Sequence, residues 1–135
     1  MLTIRRITKK DEPSVLGLIK ELDLTYPTQK LDNFWVVEEN REIIGLADLK
    51  EFDDFWLLSS VGVDKKHQHR GVASLLLKEL IKDLKKDVYL YTITPEFFSR
   101  LGFQIVPRPS DLPAREIFNC AECRPQHCVC MVKRP

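Results

Sequence analysis

The stretch Gln68-His69-Arg70-Gly71-Val72-Ala73 joins an apolar, strand-like run (residues 55–63) to an amphipathic one (residues 72–84). A strand feeding a tight Gly-containing loop that opens a helix constrains the fold to a mixture of sheet and helix. It also builds a particular local environment. Backbone N–H groups at a helix start have no intrahelical partners, and the helix dipole favours an anion there. Gly71 lets a ligand approach the backbone where a Cβ would obstruct it, and Ala73 keeps the next contact small. Lys65, Lys66 and Arg70 add positive charge nearby. By itself the pattern fits a phosphate-bearing ligand and is no more specific than that.

The rest of the chain arranges itself around this loop. Residues 2–7 read as a first strand. Thr8-x-x-Asp11 has the spacing of a capping box, and Pro13 suits a first helical turn. Val15, Leu16, Leu18, Ile19 and Leu22 then form a helical apolar stripe. Residues 25–31 form a loop marked by Pro27. Residues 34–37 and 43–50 are strands joined by Glu39-Asn40-Arg41, where Asn tolerates positive φ. Asp53-Asp54 turns the chain into the strand over residues 55–63. Val72, Leu76, Leu77, Leu80, Ile81 and Leu84 repeat at three- and four-residue spacing, with lysines largely on the other face. Strands follow at residues 88–93 and 103–106, separated by a short helix that Pro95 starts and Gly102 ends. An irregular tail leads to a last strand over residues 127–133. The order is β-α-β-β-β-α-β-α-β.

At 135 residues the chain is long enough to bury a core, and its 44% hydrophobic content is that of a globular protein. A formal net charge of +1 gives no general argument for nucleic-acid or membrane binding, and neither partner is expected. No apolar run reaches the length of a membrane span, and the first residues lack signal-peptide organisation. A cytoplasmic protein is the expectation.

Gln68-x-x-Gly71-x-Ala73, preceded by Val61-Gly62-Val63, resembles the pyrophosphate-binding motif of the GNAT superfamily, the Gcn5-related N-acetyltransferases. Phe97-Phe98-Ser99-Arg100-Leu101-Gly102-Phe103 resembles the Phe-Tyr-x-x-x-Gly-Phe segment of that family's last helix. The two motifs occur in order with a helix and a strand between them. The resemblance implies an α/β (α+β) fold: a mixed, mostly antiparallel central sheet with helices on both faces. It implies a GNAT domain over residues 1–107, with a Cys-rich extension over residues 108–135 packed on it. It further implies acetyl-CoA as cosubstrate and an amine as acceptor, and such relatives often form homodimers. Carried over by position, Val61, Gly62 and Val63 would contact pantetheine. Gln68, His69, Arg70, Gly71, Val72, Ala73 and Ser74 would hold the pyrophosphate, and Phe98 would border the cofactor. An exposed backbone N–H near Val61 would polarise the thioester carbonyl.

Two groups common in the family are replaced. Phe98 stands where a Tyr often protonates the departing thiolate, and Leu57 stands where a Glu often acts as base. Tyr91 and Ser60 are the candidates left for catalytic roles, each against the plainer reading of a sheet aromatic or an ordinary strand serine.

The tail carries a narrower resemblance. Asp111-Leu112-Pro113-Ala114-Arg115, then Cys120-Ala121-Glu122-Cys123 and Cys128, is similar to the end of the N-acetylglutamate synthase-type amino-acid N-acetyltransferases. The chain departs from that branch, whose third Cys lies farther on and is followed by acidic residues, where this sequence has Cys128-Val129-Cys130 and no such acid. The resemblance implies an amino-acid acceptor, with glutamate among the candidates. A cation would be needed for its α-carboxylate. Arg115 and Arg100 are candidates, because a guanidinium suits bidentate carboxylate contact. Cys120-x-x-Cys123-x4-Cys128-x-Cys130 offers four thiols to a structural zinc; reduced, buried thiols and disulfides are the competing readings. The expected activity is acetyl transfer from acetyl-CoA to a small amine, with the α-amino group of an amino acid as the expected acceptor. A protein or peptide acetyltransferase, a degenerate acetyl-CoA sensor and a small metal-binding interaction module are the alternatives.

Overall fold

The computed structural model describes residues 2–25, 29–110 and 129–135. Its elements are β1 (Leu2–Arg6), α1 (Glu12–Glu21), β2 (Phe34–Glu39), β3 (Glu42–Glu51), β4 (Phe55–Val63), α2 (Val72–Ile81), β5 (Asp87–Thr92), α3 (Pro95–Ser99), β6 (Gln104–Val106) and β7 (Val129–Lys133). Short 3-10 turns at residues 9–11, 31–33 and 65–67 fill three connections. The strands form one sheet in the order β1-β2-β3-β4-β5-β7-β6. Every pairing is antiparallel except β4 with β5. The expected mixed, mostly antiparallel sheet with helices on both faces is what forms.

Local chemistry explains most of the boundaries. The Asp11 carboxylate accepts the Thr8 N–H at 2.7 Å and the Thr8 hydroxyl at 2.8 Å, which closes the turn that starts α1. Arg5 clamps the same carboxylate at 2.7 and 2.9 Å and so ties β1 to the helix start. The β2–β3 hairpin turns at Asn40 (φ 52°) and Arg41 (φ 67°), two consecutive left-handed residues that match the twist of the flanking strands. Helix α2 stops at Ile81 and a turn carries Leu84, so the helix is one turn shorter than its apolar stripe suggests. Gly102 (φ 97°) terminates α3 as expected.

Alternation along the strands sorts side chains onto two faces. Val15, Leu18 and Ile19 of α1 bury against Phe34, Val36 and Leu46 on one face. Leu76, Leu77, Leu80 and Ile81 of α2, with Phe98 and Phe103, bury against Val37, Leu49, Leu58 and Leu90 on the other. Leu57 and Leu58 are neighbours in β4, so Leu57 lies on the α1 side. There it joins Phe55, Cys130, Tyr89 and Tyr91 in a third apolar cluster beyond the reach of α1. The last described strand does not add to the sheet's margin. β7 inserts between β5 and β6, pairing Leu90 with Met131 and Ile105 with Met131.

Candidate functional site

The parallel pairing of β4 and β5 is brief. Phe55, Trp56 and Leu57 face Asp87, Val88 and Tyr89, and no pair follows. β4 nevertheless continues to Val63, still paired with β3. Beyond Leu57 the two central strands therefore part, and among the described residues no strand pairs with β4 there on the side of β5.

A bulge governs that edge. β3 advances from Leu46 to Asp48 while β4 covers Gly62 to Ser59, so three steps of β4 oppose two of β3. Ser60 takes φ 49°, a left-handed conformation that a bulge residue adopts at some cost. Its hydroxyl lies 3.2 Å from the Leu24 carbonyl, to which it donates, and it accepts from Gln29 Nε2 at 3.0 Å. The same Gln29 amide donates to Leu24 O at 3.0 Å. The segment after α1 is thus fastened to the bulge. Past the bulge, the Asp64 N–H donates to Ile44 O at 2.7 Å, towards β3. Strand alternation then turns the amides of Val61 and Val63 the other way, into the gap.

The loop after β4 sits at the mouth of this gap. Asp64 accepts from the Lys66 N–H at 2.8 Å and starts the 3-10 turn. His69 (φ 65°) and Gly71 (φ 77°) both adopt left-handed backbone. At Gly71, a Cβ would meet no atom within 4 Å, so the space before it is open. Gly71 O accepts from Leu75 N at 3.0 Å, the first bond of α2, which leaves the amides of Val72, Ala73 and Ser74 without helical partners. The Gln68 side chain has a different task from its backbone: Nε2 donates to Val63 O at 2.9 Å and braces the loop against the strand end. Arg70, half-exposed, lies 3.5 Å from Glu39 at the end of β2, and His67 lies 3.6 Å from the same carboxylate.

The remaining candidates fall in several places. Phe98 is buried, edge-on to Phe97 at 5.0 Å and to Phe103 at 5.8 Å, and offers no proton donor. Tyr91 lies on β5 opposite Cys130, on the same face as Leu57. Arg100 caps the end of α3 and is exposed. Arg115, Cys120, Cys123 and Cys128 lie outside the described residues. Cys130 is buried on β7, and its thiol is pushed up by burial, with the positive charge of Arg108 opposing. Among the described residues no three His, Cys, Asp or Glu side chains gather as a metal site.

Sequence reasoning missed Asp48, Leu24, Gln29 and Glu39. Asp48 is 1% exposed, yet the only mark it leaves in the sequence is one charged residue inside the apolar run of β3.

Comparison with known proteins matches this arrangement. The Acetyltransferase (GNAT) domain family matches residues 30–105, more than half of the chain. N-acetylglutamate synthase from Neisseria gonorrhoeae, solved with coenzyme A and N-acetyl-glutamate, superimposes with a TM-score of 0.78 at 21% identity. That match covers 99% of this chain and 35% of the other, so the chain spans about a third of that enzyme. Rv2747 from Mycobacterium tuberculosis, solved in complex with CoA, superimposes at 0.75 with 19% identity, covering 98% of this chain and 99% of that one. The ribosomal-protein-S18-alanine N-acetyltransferase of Escherichia coli superimposes at 0.69 with 18% identity, covering 98% and 93%. With the parted strands, the bulge and the open loop at the start of α2, this chain belongs to the GNAT family of N-acetyltransferases.

Proposed function

We propose that the chain transfers an acetyl group from acetyl-CoA to a small amine, the α-amino group of an amino acid, with a glutamate-like acceptor as the first candidate. The observation that carries the donor is the edge of β4 beyond Leu57, running straight into the open loop at Gly71. Pantetheine would lie along that edge, bonding to backbone groups of Val61 and Val63. The pyrophosphate would sit before Gly71, against the amides of Val72, Ala73 and Ser74 and near Arg70. That placement uses the unpaired donors and the dipole of α2 together. The Val61 N–H would polarise the thioester carbonyl, so that the charge developing on its oxygen meets a fixed donor.

The acceptor would approach from the α1 face, over Ser59 and beside the segment after α1 that covers Ser60 and Gly62. Attack forms the N–C bond and breaks C–S; the electron pair leaves on the CoA sulfur, which ends as the thiol. The amino-acid reading is supported by the tail motif and by N-acetyl-glutamate in the gonococcal enzyme. The zinc reading of Cys120, Cys123, Cys128 and Cys130 belongs to the same proposal and is checked by metal content with and without Cys120→Ser.

The test is thiol release from acetyl-CoA with a panel of the twenty amino acids, beside thermal melting with acetyl-CoA alone. A rise in melting temperature with turnover on one or a few amino acids supports the reading. Turnover on peptides alone redirects it to a peptide acetyltransferase. A rise with no release from any amine makes the chain an acetyl-CoA sensor.

A further inference from the structure

At neutral pH an amino group is an ammonium ion, and it must lose a proton before its lone pair can attack a thioester. Asp11 and Asp48 are the buried charged side chains among the described residues. Asp11 lies beside Arg5 of β1, at the margin of the sheet and away from β4. Asp48 lies on β3, the strand paired with β4. It is in register with Ser59 of β4, the residue immediately before the Ser60 bulge. Its strand alternates with Leu46, which faces α1, so Asp48 projects on the side from which the acceptor comes. Phe34 of β2 is its other cross-strand neighbour and bars that direction with an apolar ring.

Resting on the acetyltransferase reading above, we infer that Asp48 is the general base of the reaction, a carboxylate on β3 serving a thioester held on the edge of β4. Val61 lies two positions past Ser59, across the Ser60 bulge, so at most ~7 Å along the strand. A carboxylate at the Ser59 level thus reaches an amine poised at the thioester through one water, a distance over which general bases act. The proton passes from the ammonium through that water to the carboxylate. Nitrogen then attacks the carbonyl carbon, the C–S bond breaks, and the second amine proton goes to the CoA sulfur. The proton held by Asp48 returns to solvent. Among the described residues, the charged or titratable side chains on the same face nearby are Lys50 on β3, Tyr89 and Tyr91 on β5 and the Cys130 thiol on β7; β2 presents Phe34 and Val36, and α1 presents Val15, Leu18 and Ile19.

The experiment is a pH profile of acetyl transfer by the wild-type protein and Asp48→Asn, using the best acceptor of the amino-acid panel. With Asn, kcat should fall about 10²- to 10⁴-fold near neutral pH. The defect should shrink as pH rises, because the amine then deprotonates in solution. The melting-temperature rise from acetyl-CoA should be unchanged. A defect constant across pH makes Asp48 structural and overturns the inference. So does a loss confined to acceptor KM, which makes Asp48 an ammonium-binding group. If Asp48→Asn does not fold, Asp48→Glu carries the test: it should keep the acidic limb at reduced kcat, and a folded Glu variant lacking the limb overturns the inference. Absence of wild-type turnover on every amine, with acetyl-CoA binding intact, refutes the transferase reading and the base with it. A wild-type protein that turns over alongside an unaffected Asn variant refutes only the base.

Discussion

Replacing Gly71 with alanine separates folding from ligand binding, because the structure assigns each a different cost. In the free protein the new Cβ would meet nothing within 4 Å, so no steric clash contributes. What remains is the φ of 77°, which a residue with a Cβ tolerates at about 1 kcal/mol. For a domain of this size that lowers the melting temperature by roughly 3–5 °C. Binding should suffer far more. The methyl occupies the opening in front of the α2 amides and holds a pyrophosphate away from them. Losing two hydrogen bonds to a charged group costs about 3 kcal/mol, or a roughly 100-fold weaker CoA affinity. Isothermal titration with CoA and thermal melts of both proteins give the two numbers directly. An unchanged CoA affinity beside the expected thermal loss would show that the loop is a turn and not a phosphate cradle.

Other perturbations probe other parts of the site. A Cβ at Gly62 would stand 2.7 Å from Leu22 Cδ1 and 2.8 Å from Leu24 Cδ1. Gly62→Ala should therefore cost about 1–2 kcal/mol in urea melts and raise the acceptor KM more than the acetyl-CoA KM, because the Leu22 and Leu24 side chains must shift on the acceptor side of the bulge. Gln68→Ala removes the amide that donates to Val63 O and should weaken CoA binding by about tenfold through a looser loop, measured by the same titration. Arg5 beside Asp11 holds that carboxylate well below its ordinary 3.8. A depressed folded-state value means that the stabilisation is complete above about pH 4–5 and fades as pH falls through the folded value. Asp11→Asn should be about 1–2 kcal/mol less stable than wild type at neutral pH, with the gap closing on acidification; a gap that persists in acid would place the effect elsewhere.

The elements were legible because each leaves a period in the sequence. The stripe from Val72 to Leu80, the alternating strands, and the punctuation at Pro13, Asn40 and Gly102 all act through local sterics that one segment carries alone. The loop at Gly71 was legible for the same reason. The parting of β4 from β5 was not, since it depends on where two distant segments stop pairing. The bulge left no residue signal either, because Ser60 holds a left-handed φ that its own side chain does not favour. Its hydroxyl is committed to Leu24 and Gln29, a tertiary contact spanning more than thirty residues. Asp48 was hidden by the opposite problem. One acidic residue in β3 reads as an edge of the apolar pattern, and only the register against Ser59 shows which face it is on.

The position of β7 sets an order of events during synthesis. Its partners, β5 and β6, are complete by Val106, and among the described residues it is residues 129–133 that fill the slot between them. A chain stalled on the ribosome short of Lys133 would expose two strand edges on either side of a gap one strand wide, a shape that invites a strand from another molecule. Chaperone demand and aggregation for this protein should therefore follow the arrival of those five residues, and a peptide of the β7 sequence supplied in trans should compete for the slot.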